Sequence, residues 1–189
     1  MRLLMVLAAV GLVAAAGLIA YVFVKPPGPA LETGPGKPTS PFIPATTQGK
    51  KLAVELFFAS PDGSGLVSEK RVIPRAEDDL SKASLIMAEL KKGPRKKLSP
   101  LMPPEMEVRS LYLAEGTLVV DLQPEISGVA AGAFQEVLLW YSMVNSIIMN
   151  VHGINAVHFL VDGEEKDRIL GHLDMRGAFK ERLELVRWY

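Results

Sequence analysis

The densest set of side chains able to hold a cation lies towards the C-terminus, where Asp162, Glu164, Glu165 and Asp167 are followed by His172 and Asp174. Carboxylates with one imidazole suit a divalent ion in a loop. The spacing argues against that use. An EF-hand loop needs alternating ligands with glycine at its sixth position, whereas Gly163 comes second here, and no HExxH pair occurs. A solvated turn and loop is therefore expected, with Gly163 serving the turn. His152, His158 and His172 lie near no Gly-x-Ser-x-Gly elbow, and without cysteine the only nucleophiles are scattered Ser and Thr. His152 is expected beside a helix C-terminus and His158 on a strand face. Asp121 closes an apolar strand and is expected to pair with Arg109 or another base on an adjacent strand rather than act as a general base. Gly128, Gly132 and Gly153 have the wrong spacing for a phosphate loop or a dinucleotide fingerprint. No catalytic, cofactor or metal-binding residue is assigned.

The second dense cluster is basic. Lys91, Lys92, Arg95, Lys96 and Lys97 put five cations within seven positions. Such a run either complements a helix dipole and stays solvated, or meets an acidic partner, anionic lipid or wall polymer. Across the chain 21 basic residues balance 21 acidic ones, so nothing in the global charge favours nucleic acid. The absence of cysteine excludes disulfides, thiolate metal sites and a lipid-bearing cysteine.

The elements that must carry these clusters can be read from the chain's periodicity. Leu3 to Val24 runs for 22 residues without a charge; as a helix it would span about 33 Å, enough for a hydrocarbon core of about 30 Å. Arg2 precedes it, so the positive-inside tendency keeps the N-terminus in the cytoplasm and sends the chain after Lys25 across the membrane. Ala14, Ala15 and Ala16 offer a signal-peptide cleavage reading, but the apolar run continues to Phe23 and Val24, which favours an uncleaved signal-anchor. Either reading exports the domain. Three segments are expected: a membrane anchor over 1–24, a linker over 25–50 with seven prolines and four glycines, and a domain over 51–189.

Within the domain, Leu52, Val54, Leu56 and Phe58 alternate with Ala53, Glu55 and Phe57, the pattern of a strand with one buried face. The Ser60–Gly65 turn reverses the chain into a strand over Leu66–Ile73, where Glu69, Lys70 and Arg71 suggest a partly solvated or edge position. Asp78 or Asp79 caps a helix carrying Leu80, Ala83, Met87 and Leu90, stopped by Gly93-Pro94. A looped stretch leads to strands over 107–114 and 117–122 joined by Glu115-Gly116. A second helix over Ala133–Val151 places Phe134, Val137, Leu138, Tyr141, Val144, Ile148 and Val151 on its apolar face, with Gly153 as its C-terminal cap. Met143, Ile147, Ile148 and Met149 widen that face, for core packing or for a partner-binding groove. A buried strand over 156–161 and an ending over 183–188, strand or helical turn, complete the chain. The expected fold is α+β: two helices on one face of a mixed, mostly antiparallel sheet.

Leu56-Phe57-Phe58, Arg71, Leu90-Lys91-Lys92-Gly93-Pro94, Pro103-Pro104, Val119-Val120-Asp121-Leu122, the central helix and Val161-Asp162-Gly163-Glu164 with Gly171-His172 together resemble a GerMN domain of sporulation and germination proteins. The resemblance covers Lys51 to Asp174. It implies an exported, non-enzymatic interaction domain similar to ring-building domains of envelope assemblies. GerM-like proteins often carry a lipid and two such domains; this chain lacks the lipid-bearing cysteine and shows one domain after an apolar segment. The function expected is a membrane-anchored extracytoplasmic adaptor contacting envelope proteins, copies of itself included, with Lys91, Lys92, Arg95, Lys96 and Lys97 as its interaction patch. The rival readings are a cell-wall hydrolase accessory or metal-dependent envelope enzyme using the acidic loop, and a secreted ligand-binding domain.

Overall fold

The first strand, β1 (Thr46–Ala59), starts inside the stretch read as linker and pairs antiparallel with β2 (Leu66–Ala76). The computed structural model describes residues 46–125 and 132–188. The expected anchor over 1–24 and most of the linker lie outside them. Among the described residues no helix is long and apolar enough to cross a membrane.

Helix α1 (Asp79–Lys91) begins where Asp78, in extended conformation, accepts from the Ser81 N–H at 2.7 Å and its hydroxyl at 2.8 Å. It ends where Gly93, at φ +75°, donates to Leu90 O at 3.0 Å. β3 (Val108–Ala114) and β4 (Thr117–Leu122) form the expected hairpin, with Glu115 and Gly116 both at positive φ as a two-residue turn of this kind requires. Helix α2 (Ala133–Ile148) then carries the chain across to β5 (Ala156–Val161), which lies parallel to β4. Leu183–Leu185 is a 3-10 turn, so the chain's ending is helical before Val186 touches Leu66 in a single bridge.

The fold is α+β, but the strands form two sheets, β1-β2 and β3-β4-β5, rather than one. The reason lies on α2. Ser142 and Ser146 of the helix and Asn150 just past its end, spaced four apart, turn to the outer edge of β1. Ser142 Oγ donates to Phe57 O at 2.5 Å, and the Phe57 N–H donates to Ser146 Oγ at 2.9 Å. Asn150 accepts from the Glu55 N–H at 3.0 Å and donates to Glu55 O at 2.7 Å. A helix thus satisfies backbone groups that another strand would otherwise bond. It also buries Phe57 as completely as Leu56, so β1 has no solvated face at that point.

Three further differences come from packing. Phe134, expected on the apolar face, is 48% exposed in the first turn of α2, whereas Met143 and Ile147 are wholly buried, as core packing expects. The helix ends at Ile148, so Val151 lies beyond it. Gly153 does not have the positive φ of a helix-capping glycine; its lack of a side chain instead leaves room for the Asp79 carboxylate. His152 is exposed after the helix, and His158 lies on β5 with Nδ1 2.7 Å from Gly177 O.

Candidate interaction surface

The basic run is built on a buried charge network that its own sequence does not reveal. Glu69 and Arg71 on β2, expected at a solvated edge, are each only 2% exposed. Their side chains share the face of β2 that α1 covers. Arg71 Nε donates to Glu69 at 2.5 Å, Nη1 to Glu89 of α1 at 3.1 Å, and Nη2 to Gly93 O at 2.7 Å. Its guanidinium carbon also lies 5.6 Å from the centre of the Phe58 ring. Each of the three guanidinium nitrogens therefore donates, which is the pairing that a charge removed from water requires.

Glu69 has a second task. Its carboxylate accepts from the Lys96 N–H at 2.7 Å and the Arg95 N–H at 2.9 Å. Burial alone would raise its pKa, but the Lys96 N–H, the Arg71 guanidinium and the Arg95 N–H hold it below the ordinary carboxylate value. Glu89 is also held low: burial opposes ionisation, and Lys92, Arg71 and Arg95 outweigh it. The loop after α1 is thus clamped to β2 through its main chain, leaving its side chains to point elsewhere.

The five cations consequently divide. Lys92 pairs with Glu89 at 2.5 Å and Arg95 with the same carboxylate at 3.3 Å. Lys91 pairs with Glu107 and reaches Met106 O at 3.2 Å. Lys96 and Lys97 are exposed, and neither forms an ion pair among the described residues. The patch read from sequence is therefore three internally matched cations and two projecting ones. A shallow depression of about 650 Å³ lies beside it, lined by Leu98, Met102 and four prolines together with Lys91 and Lys92.

The acidic loop has the opposite construction. Asp162 pairs with Arg109, Glu164 with Lys166 at 2.5 Å, and Asp174 with Arg176 at 2.6 Å. The Arg176 side chain lowers the Asp174 carboxyl to about 2. Glu165 accepts from the Gly177 N–H at 3.0 Å, and Asp167 lies 3.9 Å from Arg176. His172 turns away from these acids to Glu136, with Nδ1 at 3.0 Å. Among the described residues, no three acidic or histidine side chains converge as a metal site would need.

Two buried carboxylates organise the surroundings. Asp121 lies 3.8 Å from Arg109, the expected pairing, and also accepts from the Gly163 N–H at 2.8 Å. Glu136, wholly buried in the first turn of α2, accepts from the N–H groups of His172 at 2.9 Å and Leu173 at 3.2 Å. Its acid-at-helix-start position is the signal that could have marked it.

The family model for Germane, sporulation and spore germination, matches residues 55–167, which takes in both helices, the clamped loop and all three strands of the second sheet. The chain belongs to the Germane family. The first GerMN domain of the sporulation protein GerM from Bacillus subtilis superposes with a TM-score of 0.57 at 16% identity, over 69% of this chain and 98% of that one. The tandem GerMN domains of the same protein give 0.54 at 15% identity, over 69% of this chain; this chain spans only 46% of theirs. A candidate lipoprotein from Clostridium perfringens gives 0.50 at 21% identity, over 69% of this chain and 87% of that chain. No curated protein matches. At these identities the solved relatives establish a shared Germane fold.

Proposed function

We propose that this Germane protein is a membrane-anchored, non-catalytic adaptor displayed outside the cytoplasm, acting in sporulation or germination by docking an acidic protein surface on the Arg95–Lys97 loop. The observation that carries the reading is the Glu69 clamp. A buried carboxylate that grips two consecutive main-chain N–H groups, those of Arg95 and Lys96, fixes the loop's backbone, so a partner docking there has less backbone left to order. Exposed cations of this kind speed and orient encounter with an acidic patch, and the contribution falls as salt rises. Support for the anchor is the 22-residue apolar run that precedes the domain. Support for the process is the family's description.

The test is recovery of envelope partners by the intact anchored protein and by its Lys96→Glu/Lys97→Glu variant. Both changes lie outside the core, so melting temperatures should agree. The adaptor reading expects the variant to recover less partner at low salt and to lose less on raising the salt. Equal recovery by both proteins across the salt range would remove the loop from the mechanism.

A further inference from the structure

The sheet edges of this fold are guarded unequally. The outer edge of β1 is bonded by Ser142 and Ser146 from α2, by Asn150 just past its end, and by Ser99 at Ala59. β5 is held at Val157 by Phe179 and at Val161 by Glu164. β2 is bonded at Leu66 by Arg187, carries exposed Lys70 along its middle, and contains Pro74, which has no N–H to offer. Bonded partners, an edge lysine and an edge proline are the usual means of keeping a strand from pairing with a foreign one.

β3 has none of them between its bulge and its turn. The two-residue turn makes Ala114 and Thr117 a hydrogen-bonded pair, so Tyr112 also bonds inward to β4 while the backbone groups of Leu111 and Leu113 point away from it. Among the described residues nothing bonds to them. The sequence Leu111-Tyr112-Leu113 contains no charge or proline, and Leu113 is 40% exposed. Beside this edge a groove of about 250 Å³ opens between β3 and α1, lined by Met87, Ala88, Met102 and Leu111.

We propose that the occupant of this edge is a second copy of the same chain, paired antiparallel through β3 about a two-fold axis at Tyr112. In that register Leu111 faces Leu113 of the other copy, so the four outward backbone groups of each strand find partners. Leu113 of each copy lies on the same face as the other's Leu111 and fills the mouth of the groove. The charges do not oppose the pairing: the Arg109 end of one strand, whose guanidinium already pairs with Asp121 and Asp162, comes opposite the exposed Glu115 turn of the other, twice. A two-fold pairing along the middle of β2 would instead oppose Lys70 to Lys70. Such an interface is self-complementary and closed, giving a dimer with a continuous six-stranded sheet rather than a ring. It is independent of the Arg95–Lys97 loop.

Because the chain has no cysteine, single cysteines report the pairing directly. Tyr112 would face its copy as a non-hydrogen-bonded pair, with Cα atoms about 4.5 Å apart and within disulfide reach. Full-length Tyr112→Cys, oxidised in native membranes, should convert to a disulfide dimer under conditions that leave Val72→Cys monomeric. Adding Leu113→Arg should abolish the dimer. If that change lowers the melting temperature, Glu115→Lys on the exposed turn serves the same purpose and should reduce the yield. A monomeric Tyr112→Cys, equal crosslinking at Val72, or a yield indifferent to both Leu113→Arg and Glu115→Lys would each overturn the proposal.

Discussion

The charges around β2 and those of the 162–176 loop have similar density in sequence and opposite places in the structure. Glu69, Arg71 and Glu89 are buried and each makes several bonds, and Glu69 and Arg71 reach the main chain of the segment they hold. Asp162, Glu164, Asp174 and Arg176 pair at the surface, mostly with partners a few residues away. Charges of the first kind determine the path of the chain, because leaving one unpaired in the interior is costly; charges of the second kind are interchangeable with water.

The sharpest way to break that contrast is Arg71→Met, which keeps an apolar stem against Phe58 but strands Glu69 and Glu89 without their shared cation. Removing one partner of a buried ionic group costs about 3–5 kcal/mol. Urea denaturation at neutral pH should show a loss of that order. A loss below about 1 kcal/mol would place Glu69 and Glu89 in the surface class. The same substitution should also loosen the 95–97 loop, visible as faster amide exchange at Lys96.

The contrast also explains what was legible from residues alone. Elements specified by local signals were readable: an aspartate cap at 78 or 79, the Gly93 stop, the Glu115-Gly116 turn and the pairing of Asp121 with a base on the neighbouring strand, which is Arg109. What was not readable depended on residues distant in sequence. Glu69 and Arg71 look like an edge strand because charge normally means water, and nothing local shows that Glu89 and the Gly93–Lys96 backbone arrive to satisfy them. Ser142, Ser146 and, just past the helix, Asn150 recur every four residues, yet a polar stripe reads as solvent-facing until β1 is known to lie beside it. The single sheet expected from element order failed for that reason. Of the five candidate cations, Lys92 and Arg95 are matched by a carboxylate within six positions of them, while Lys91 is matched by Glu107, beyond the loop.

A smaller effect is expected at Asp78, which sits between the two kinds of charge: exposed, but bonded to a helix end. Asp78→Ala removes the cap and should cost about 1 kcal/mol at neutral pH. The Ser81 N–H, followed by its hydroxyl, holds the Asp78 carboxyl below its ordinary value. A lowered folded pKa means the contribution is complete above the unfolded carboxylate range and is lost as pH falls through the folded value. The stability gap between wild type and Asp78→Ala should therefore narrow below about pH 4. A gap that stays constant down to pH 2 would show that the hydroxyl and N–H of Ser81 do not favour the ionised form.

The smallest effect is expected where the carboxyl is most strongly shifted. The Arg176 guanidinium holds Asp174 at about 2, a larger displacement than at Asp78, yet the two side chains are 63% and 55% exposed. Solvent and salt screen such a pair, and each partner regains its hydration when the other is removed. Asp174→Asn should leave the melting temperature nearly unchanged at neutral pH, and the narrowing of its difference from wild type in acid should be smaller than for Asp78→Ala. His172, two positions away, is held by Glu136 rather than by Asp174, so the loop keeps its attachment to α2 in the variant. A clear drop in melting temperature on Asp174→Asn, matching that of Asp78→Ala, would mean that the acidic loop is held together by its surface charges, and the distinction between the two regions would fail at its weaker end.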